Sequence, residues 1–240
     1  MAIREISYNG KIFSLNYELK NPKCDRAILF LHGWGSNKEL MQTAFVKHCS
    51  YKSIYLDLPG FGKSPNESVL TTKDYANIVQ TFLQDLNVRP DIVVGHSFGG
   101  KVATLLEPKM LVLLSSAGIV EKKPLTVRMK IALFKMLKPF GIARLRNLFV
   151  SRDAKGMSEA MYETFKNVVN EDFSSHFEKC HSEALIFWGE EDRATSLQSG
   201  KKIAKLIKNS TFFPLNGDHY FFLDKGKEIC KIVKERYEKL

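Results

Sequence analysis

Short apolar runs, each closed by a turn, recur along this chain. Ala27 to Leu31 ends at "HGWG", "SIYL" at "DLPGFG", Ile92-Val93-Val94 at Gly95, and "MLVLL" at "SSAG". Runs this short, bounded by glycine and proline, predict strands buried on both faces. Between them the apolar spacing becomes helical. Asn37 to His48 reads as a helix with Asn37 as its cap. In "TTKDYANIVQTFLQDLN", Tyr75, Ile78, Val79, Phe82, Leu83 and Leu86 fall on one helical face. "FGGKVATLLE" restarts helix directly after a strand.

Strand and helix therefore alternate from residue 27 to 118, and the alternation resumes near residue 183. There the order is strand "EALIFWGEED", helix "SLQSGKKIAKLIKN", strand "STFFPLNGDH" and helix "LDKGKEICKIVKERYEKL". That pattern predicts an α/β fold with a mostly parallel sheet and helices on both faces. Asn9-Gly10, between two β-forming runs, adds an N-terminal hairpin. The alternation fails over 119–182, where "MKIALFKMLKPFGIARLRNLFV" and "MSEAMYETFKNVV" read as helices with no strand between. The expected organisation is a core of 1–118 and 183–240 with a helical cap inserted at 119–182.

Composition narrows the functional classes. The 240 residues are 44% hydrophobic and 26% charged, as in an ordinary globular protein. The first residues, "MAIREISYNGKIF", carry charge early and lack a signal-peptide core. No apolar run reaches the roughly 20 residues that span a bilayer. A cytoplasmic protein without stable membrane insertion is expected. The four cysteines, Cys24, Cys49, Cys180 and Cys230, are scattered without a CxxC pair. Neither a zinc knuckle nor a redox motif is supported, and free thiols are expected. The net charge of +10 is spread along the chain, which reads as a solvated lysine surface, and no nucleic-acid motif accompanies it. No metal or cofactor is implied.

The candidate chemistry lies in "VVGHSFGGK", residues 93–101. Ser97 stands between Gly95 and Gly99 where a strand passes into a helix. A G-x-S-x-G turn in that context lifts a serine hydroxyl clear of a sheet, and its close neighbours must lack Cβ atoms. The following helix points its N-terminus at the site, which favours developing negative charge. A serine nucleophile needs a base, and the base needs an orienting acid. Of the six histidines, His219 follows the last predicted strand, at the sheet edge where open α/β sheets bind ligands. His32 and His96 sit in glycine-rich motifs and are expected to shape a turn and to pack beside the serine. Asp192 follows the strand "ALIFWG", with Glu190 and Glu191 beside it. Asp57 is expected to fix its own turn.

Five pieces together, "HGWG" (32–35), "LDLPGFGKS" (56–64), "GHSFGG" (95–100), "WGEEDR" (188–193) and "GDHYFF" (217–222), resemble the α/β-hydrolase superfamily over nearly the whole chain. The resemblance implies Ser97 as nucleophile, His219 as base and Asp192, by its offset in the motif, as acid. It also implies an oxyanion hole from the backbone N–H groups of Trp34 and Phe98. Trp34, Phe98 and Tyr220 are then expected to contact substrate. The family often carries glycine where this chain has Asp218.

A serine at this turn excludes the haloalkane dehalogenases and epoxide hydrolases of the superfamily, which use aspartate there. Small bacterial carboxylesterases are similar at "GHSFGG", so the expected activity is cleavage of a carboxylic ester through an acyl-enzyme. Meta-cleavage product hydrolases, which cut C–C bonds in 2-hydroxy-6-oxo-dienoates, are a second resemblance. They generally have Asn before the nucleophile and Trp after the histidine, where this chain has His96 and Tyr220. They would also need a cap arginine, for which Arg128, Arg144, Arg146 and Arg152 are available. A third possibility is an ester or thioester on an acidic acyl carrier protein, docked by Lys130, Lys135 and Lys138 of the basic, apolar cap stretch.

Overall fold

The computed structural model describes residues 2–120 and 157–240. Their strands are β1 (Ala2–Tyr8), β2 (Lys11–Lys20), β3 (Ala27–Leu31), β4 (Lys52–Leu56), β5 (Ile92–His96), β6 (Met110–Leu114), β7 (Glu183–Gly189) and β8 (Ser210–Leu215). They form one sheet in the order β1-β2-β4-β3-β5-β6-β7-β8. β2 runs antiparallel to both neighbours, and every pair from β4 to β8 is parallel. The described helices are α1 (Lys38–Phe45), α2 (Thr72–Asp85), α3 (Phe98–Leu105), α4 (Glu159–Val169), α5 (Ser174–Glu178), α6 (Leu197–Leu206) and α7 (Phe222–Tyr237).

The two-residue period of a strand distributes each apolar run over two cores. Leu29 and Leu31 of β3, with Leu111 and Leu113 of β6, face a core completed by Val79 and Phe82 of α2 and Val102 of α3. Ile28, Phe30, Met110 and Val112 face the opposite core, completed by Met41 and Phe45 of α1 and Ile229 and Val233 of α7. All residues of β3, β5 and β6 are buried, as their unbroken apolar sequences require. The hairpin turn falls at Asn9 and Gly10, both with positive φ, as a tight turn of primed type needs. Asn37 caps α1 by accepting from the Leu40 N–H, and Thr71 and Asp74 form a capping box on α2.

Of the cap expected over 119–182, the predicted helix at 129–150 lies outside the described residues. So do Arg128, Arg144, Arg146, Arg152, Lys130, Lys135 and Lys138. The segment expected as helix over 157–169 forms α4, started by Ser158, whose hydroxyl accepts from the Met161 N–H.

The expectation of free thiols is overturned for two cysteines. Cys49, just after α1, is disulfide-bonded to Cys230 on α7, with Cα atoms 5.9 Å apart. The packing of α1 on α7 brings together residues 181 positions apart, a pairing that spacing along the chain does not reveal. Cys24 and Cys180 are free. A disulfide fits an oxidising compartment better than a reducing one, so the thiols no longer argue for the cytoplasm. No described helix is long and apolar enough to cross a membrane.

Candidate active site

Ser97 is the single residue between β5 and α3, at φ 50° and ψ −114°. A non-glycine residue at positive φ is strained, and such strain concentrates at functional positions. The tightness of the turn explains its glycines. A Cβ on Gly95 would stand 2.4 Å from the Gly99 carbonyl oxygen, and one on Gly99 would stand 2.6 Å from the carbonyl oxygens of Leu31 and His32. The turn is tied to the sheet by the Ser97 N–H, which donates to the Leu114 carbonyl at 3.0 Å. Phe98 is the first residue of α3, so its N–H has no partner inside that helix.

His219 and Asp192 come from the loops after β8 and β7 and meet at the same sheet edge. The His219 Nδ1 lies 2.7 Å from Asp192 Oδ2. Asp192 also accepts from the N–H groups of Ala194 at 2.8 Å and Thr195 at 3.0 Å. Burial opposes the carboxylate charge. The hydrogen bonds from His219 and Thr195 outweigh that cost and hold the Asp192 pKa down to about 2. A carboxylate on Nδ1 sets the tautomer of His219 and leaves Nε2 as the basic nitrogen. Glu190 and Glu191 are exposed. Asp218, where the family often has glycine, is exposed and accepts from the Tyr220 N–H at 2.7 Å.

The other histidines of these motifs hold the loops. Buried His32 bonds the Gly33 carbonyl through Nδ1 at 2.7 Å and accepts from the Leu58 N–H at Nε2, 3.0 Å away. Burial pushes its pKa down to about 4. His96, equally buried, donates from Nε2 to the His219 carbonyl at 3.0 Å. Asp57 receives the Lys38 N–H, the Lys38 ammonium and the Lys63 N–H at 2.7, 2.8 and 3.0 Å. It therefore fixes its own turn and the start of α1 together.

A cavity of about 320 Å³ opens over this edge, lined by Trp34, Ser97, Phe98, His219 and Tyr220 among others. All six residues expected at the site, these five and Asp192 behind His219, are thus assembled in one place. Among the described residues no hydrogen bond joins the Ser97 hydroxyl to His219. A larger open cleft of about 770 Å³ lies at the opposite ends of the strands, around residues 87–91 and 106–109, away from these groups.

Three residues at this site escaped the sequence reading. Thr195 packs its hydroxyl 2.9 Å from Asp192 Oδ2 and 3.1 Å from the Ser115 carbonyl. Lys101 and Glu171 both line the cavity and form an ion pair 2.7 Å long. A lysine among the small residues of "GGKVAT", four positions after the serine, was the available signal for Lys101.

The strand order and a site built at the C-terminal ends of parallel strands define an α/β hydrolase. The chain belongs to the alpha/beta hydrolase family, whose model matches residues 28–232. An uncharacterised hydrolase of Bacillus subtilis is 28% identical over 212 residues, 75% of this chain and 77% of that protein. A pimeloyl-[acyl-carrier protein] methyl ester esterase of Proteus mirabilis is 37% identical over 78 residues, 32% of this chain and 29% of that protein. Among solved structures, a meta-cleavage product hydrolase from Pseudomonas fluorescens shares the fold with a TM-score of 0.70 at 19% identity, covering 98% of this chain and 97% of that one.

Proposed function

We propose that this protein is a serine hydrolase that cleaves carboxylic esters through an acyl-enzyme. The observation that carries the reading is the His219–Asp192 pair, 2.7 Å long, facing the same cavity as a serine held at positive φ. In this reading His219 Nε2 takes the Ser97 proton as Oγ attacks the ester carbonyl. The oxyanion is met by the N–H groups of Phe98 and Trp34, preorganised donors of the kind that lower the acyl-transfer barrier most. His219 then protonates the leaving alcohol, and a water activated by the same nitrogen releases the acid. Asp192 stays ionised and orients the ring. Proton transfer between Ser97 and His219 closes when substrate is bound, since such bonds are often loose in empty sites. The described residues of the expected cap contribute Ile119, Val120, Phe165 and Val168 to the cavity wall.

The test is hydrolysis of p-nitrophenyl esters of graded chain length by wild type and Ser97→Ala. Cleavage by wild type and its loss in the variant support the reading. Activity retained in a clean Ser97→Ala preparation sinks it. If wild type cleaves no ester, the simple esterase reading fails. Loss of colour from a dienoate then tests C–C cleavage, and a methyl ester on an acyl carrier protein tests the partner-dependent reading.

A further inference from the structure

Lys101 is buried with 1% of its surface exposed, one helical turn after Ser97 on α3. A lysine in such a place must be paired. Its ammonium donates to the Val168 carbonyl at 2.7 Å and to Glu171 Oε2 at 2.7 Å. It also lies over the rings of Phe173 and Phe98, 5.4 and 5.7 Å from their centroids. Glu171 Oε2 in turn accepts from the Thr72 hydroxyl at 2.5 Å. The pair thus joins α3, α2 and the chain just after α4. Burial pulls the lysine toward its neutral form, and Glu171 opposes that.

Both partners line the cavity, whose other walls near them are apolar: Trp34, Phe98, Phe165 and Val168. The direction of an acyl chain in this cavity follows from the chemistry. In the proposed mechanism the leaving oxygen lies beside His219 and the oxyanion on the Trp34 and Phe98 N–H groups, which leaves the part of the cavity lined by Phe98, Phe165 and Lys101 for the acyl group. At about 320 Å³ the cavity is at the small end for ligand sites. An alkyl chain long enough to reach the ion pair would desolvate the Glu171 carboxylate, whose side chain is 32% exposed, without replacing its hydrogen bonds to water.

We propose that the Lys101–Glu171 pair is the polar end wall of the acyl pocket and restricts this enzyme to short acyl groups, excluding long lipid chains. This rests on the reading of Ser97 as an activated nucleophile. Neutralising the wall lengthens the acyl groups accepted. Removing only the carboxylate takes away the charge that keeps the buried lysine protonated, and an acyl terminus of negative charge can supply it in its place.

The experiment measures labelling of Ser97 by P-alkyl fluorophosphonates bearing ethyl, butyl, octyl or 3-carboxypropyl groups, which needs no ester turnover. In Lys101→Met/Glu171→Gln, whose glutamine still accepts from Thr72, the octyl-to-ethyl rate ratio rises about tenfold over wild type. In Lys101→Arg, which keeps the charge pair, the ratio is that of wild type. In Glu171→Gln alone, the carboxypropyl-to-butyl ratio rises about fivefold. A purely structural pair would not move that last ratio. A folded double variant with the wild-type chain-length ratio overturns the proposal. Should the double variant not fold, an unchanged carboxypropyl-to-butyl ratio in Glu171→Gln overturns it instead. Wild type that no probe labels overturns both the nucleophile and the wall. Wild type that is labelled but cleaves no ester removes the ester reading, while the ratios still decide the wall.

Discussion

Two histidines stand side by side at this sheet edge, with ring centroids 4.6 Å apart, and their surroundings divide them. His219 has a carboxylate on Nδ1 and lines the cavity with the rest of its ring. His96 is 1% exposed, and its Nε2–H is committed to the His219 carbonyl. Its Nδ1 has no partner among the described residues and packs on the turn at Gly33, where an added Cβ would stand 2.9 Å from it. Burial drives the His96 pKa down to about 3, with the neighbouring His219 adding to the fall, so the ring is neutral at ordinary pH. Adjacency to the serine therefore does not distinguish the two rings. The acid behind His219 and the cavity before it do, and they are what the proposed mechanism requires of its base.

Substituting each histidine in turn gives the largest contrast. His219→Ala lowers kcat for a p-nitrophenyl ester by about 10⁶-fold, the size expected for removing a general base from a triad. His96→Gln keeps a side-chain N–H for the His219 carbonyl and loses at most about tenfold, through small shifts in position. Steady-state kinetics on the two purified variants check this. Equal losses would mean that both rings act on the proton, and the division between them would fall.

Removing the acid tests what makes His219 different. Asp192→Asn leaves the side-chain shape and lets the imidazole adopt the wrong tautomer, so kcat falls about 10⁴-fold. The same variant has a stability signature. The folded pKa of Asp192 is depressed, so its contribution is fully present above its ordinary value of 3.8 and is lost as pH falls toward about 2. A shift of that size corresponds to about 2 kcal/mol. In urea titrations wild type exceeds Asp192→Asn by that order at pH 6, and the difference shrinks between pH 4 and pH 2. An equal gap at both ends of that window would mean that the carboxylate's charge contributes nothing to folding.

The sequence carried the part of this site that local rules govern. Gly95 and Gly99 mark a turn with no room for Cβ atoms, and the apolar runs before Ser97 and Asp192 mark strand ends, so the placement of Ser97 and of the Asp192 loop at one sheet edge was legible. The offset that favoured Asp192 over Glu190 and Glu191 came from resemblance. The fold adds its physical basis, since only Asp192 lies under the His219 ring. What stayed hidden depends on long-range packing. Lys101 meets Glu171 only because α4 lays the following chain across α3. Cys49 meets Cys230 only because α1 and α7 cover the same face of the sheet. Neither pair has a local pattern in the chain, and the second reversed the expectation of free thiols.

The smallest effect separates the two histidines without reference to catalysis. A base whose folded pKa is lowered binds its proton more readily when unfolded. Its stability penalty is absent above its ordinary pKa of 6.5 and grows as pH falls toward its folded pKa of about 3. His96 therefore makes wild type lose stability below pH 6.5, by at most about 1.4 kcal/mol for each pH unit. Buried His32, with its pKa lowered to about 4, adds a similar slope to wild type and variant alike. The difference between wild type and His96→Gln isolates His96. Thermal melts from pH 7 to pH 4.5 should show the variant gaining on wild type steadily as the pH drops, whatever its stability at pH 7. Parallel curves would mean that His96 takes up its proton inside the folded protein. Its buried, unpartnered Nδ1 would then be a second titrating nitrogen beside the base, and the contrast with His219 would reduce to the position of Asp192 alone.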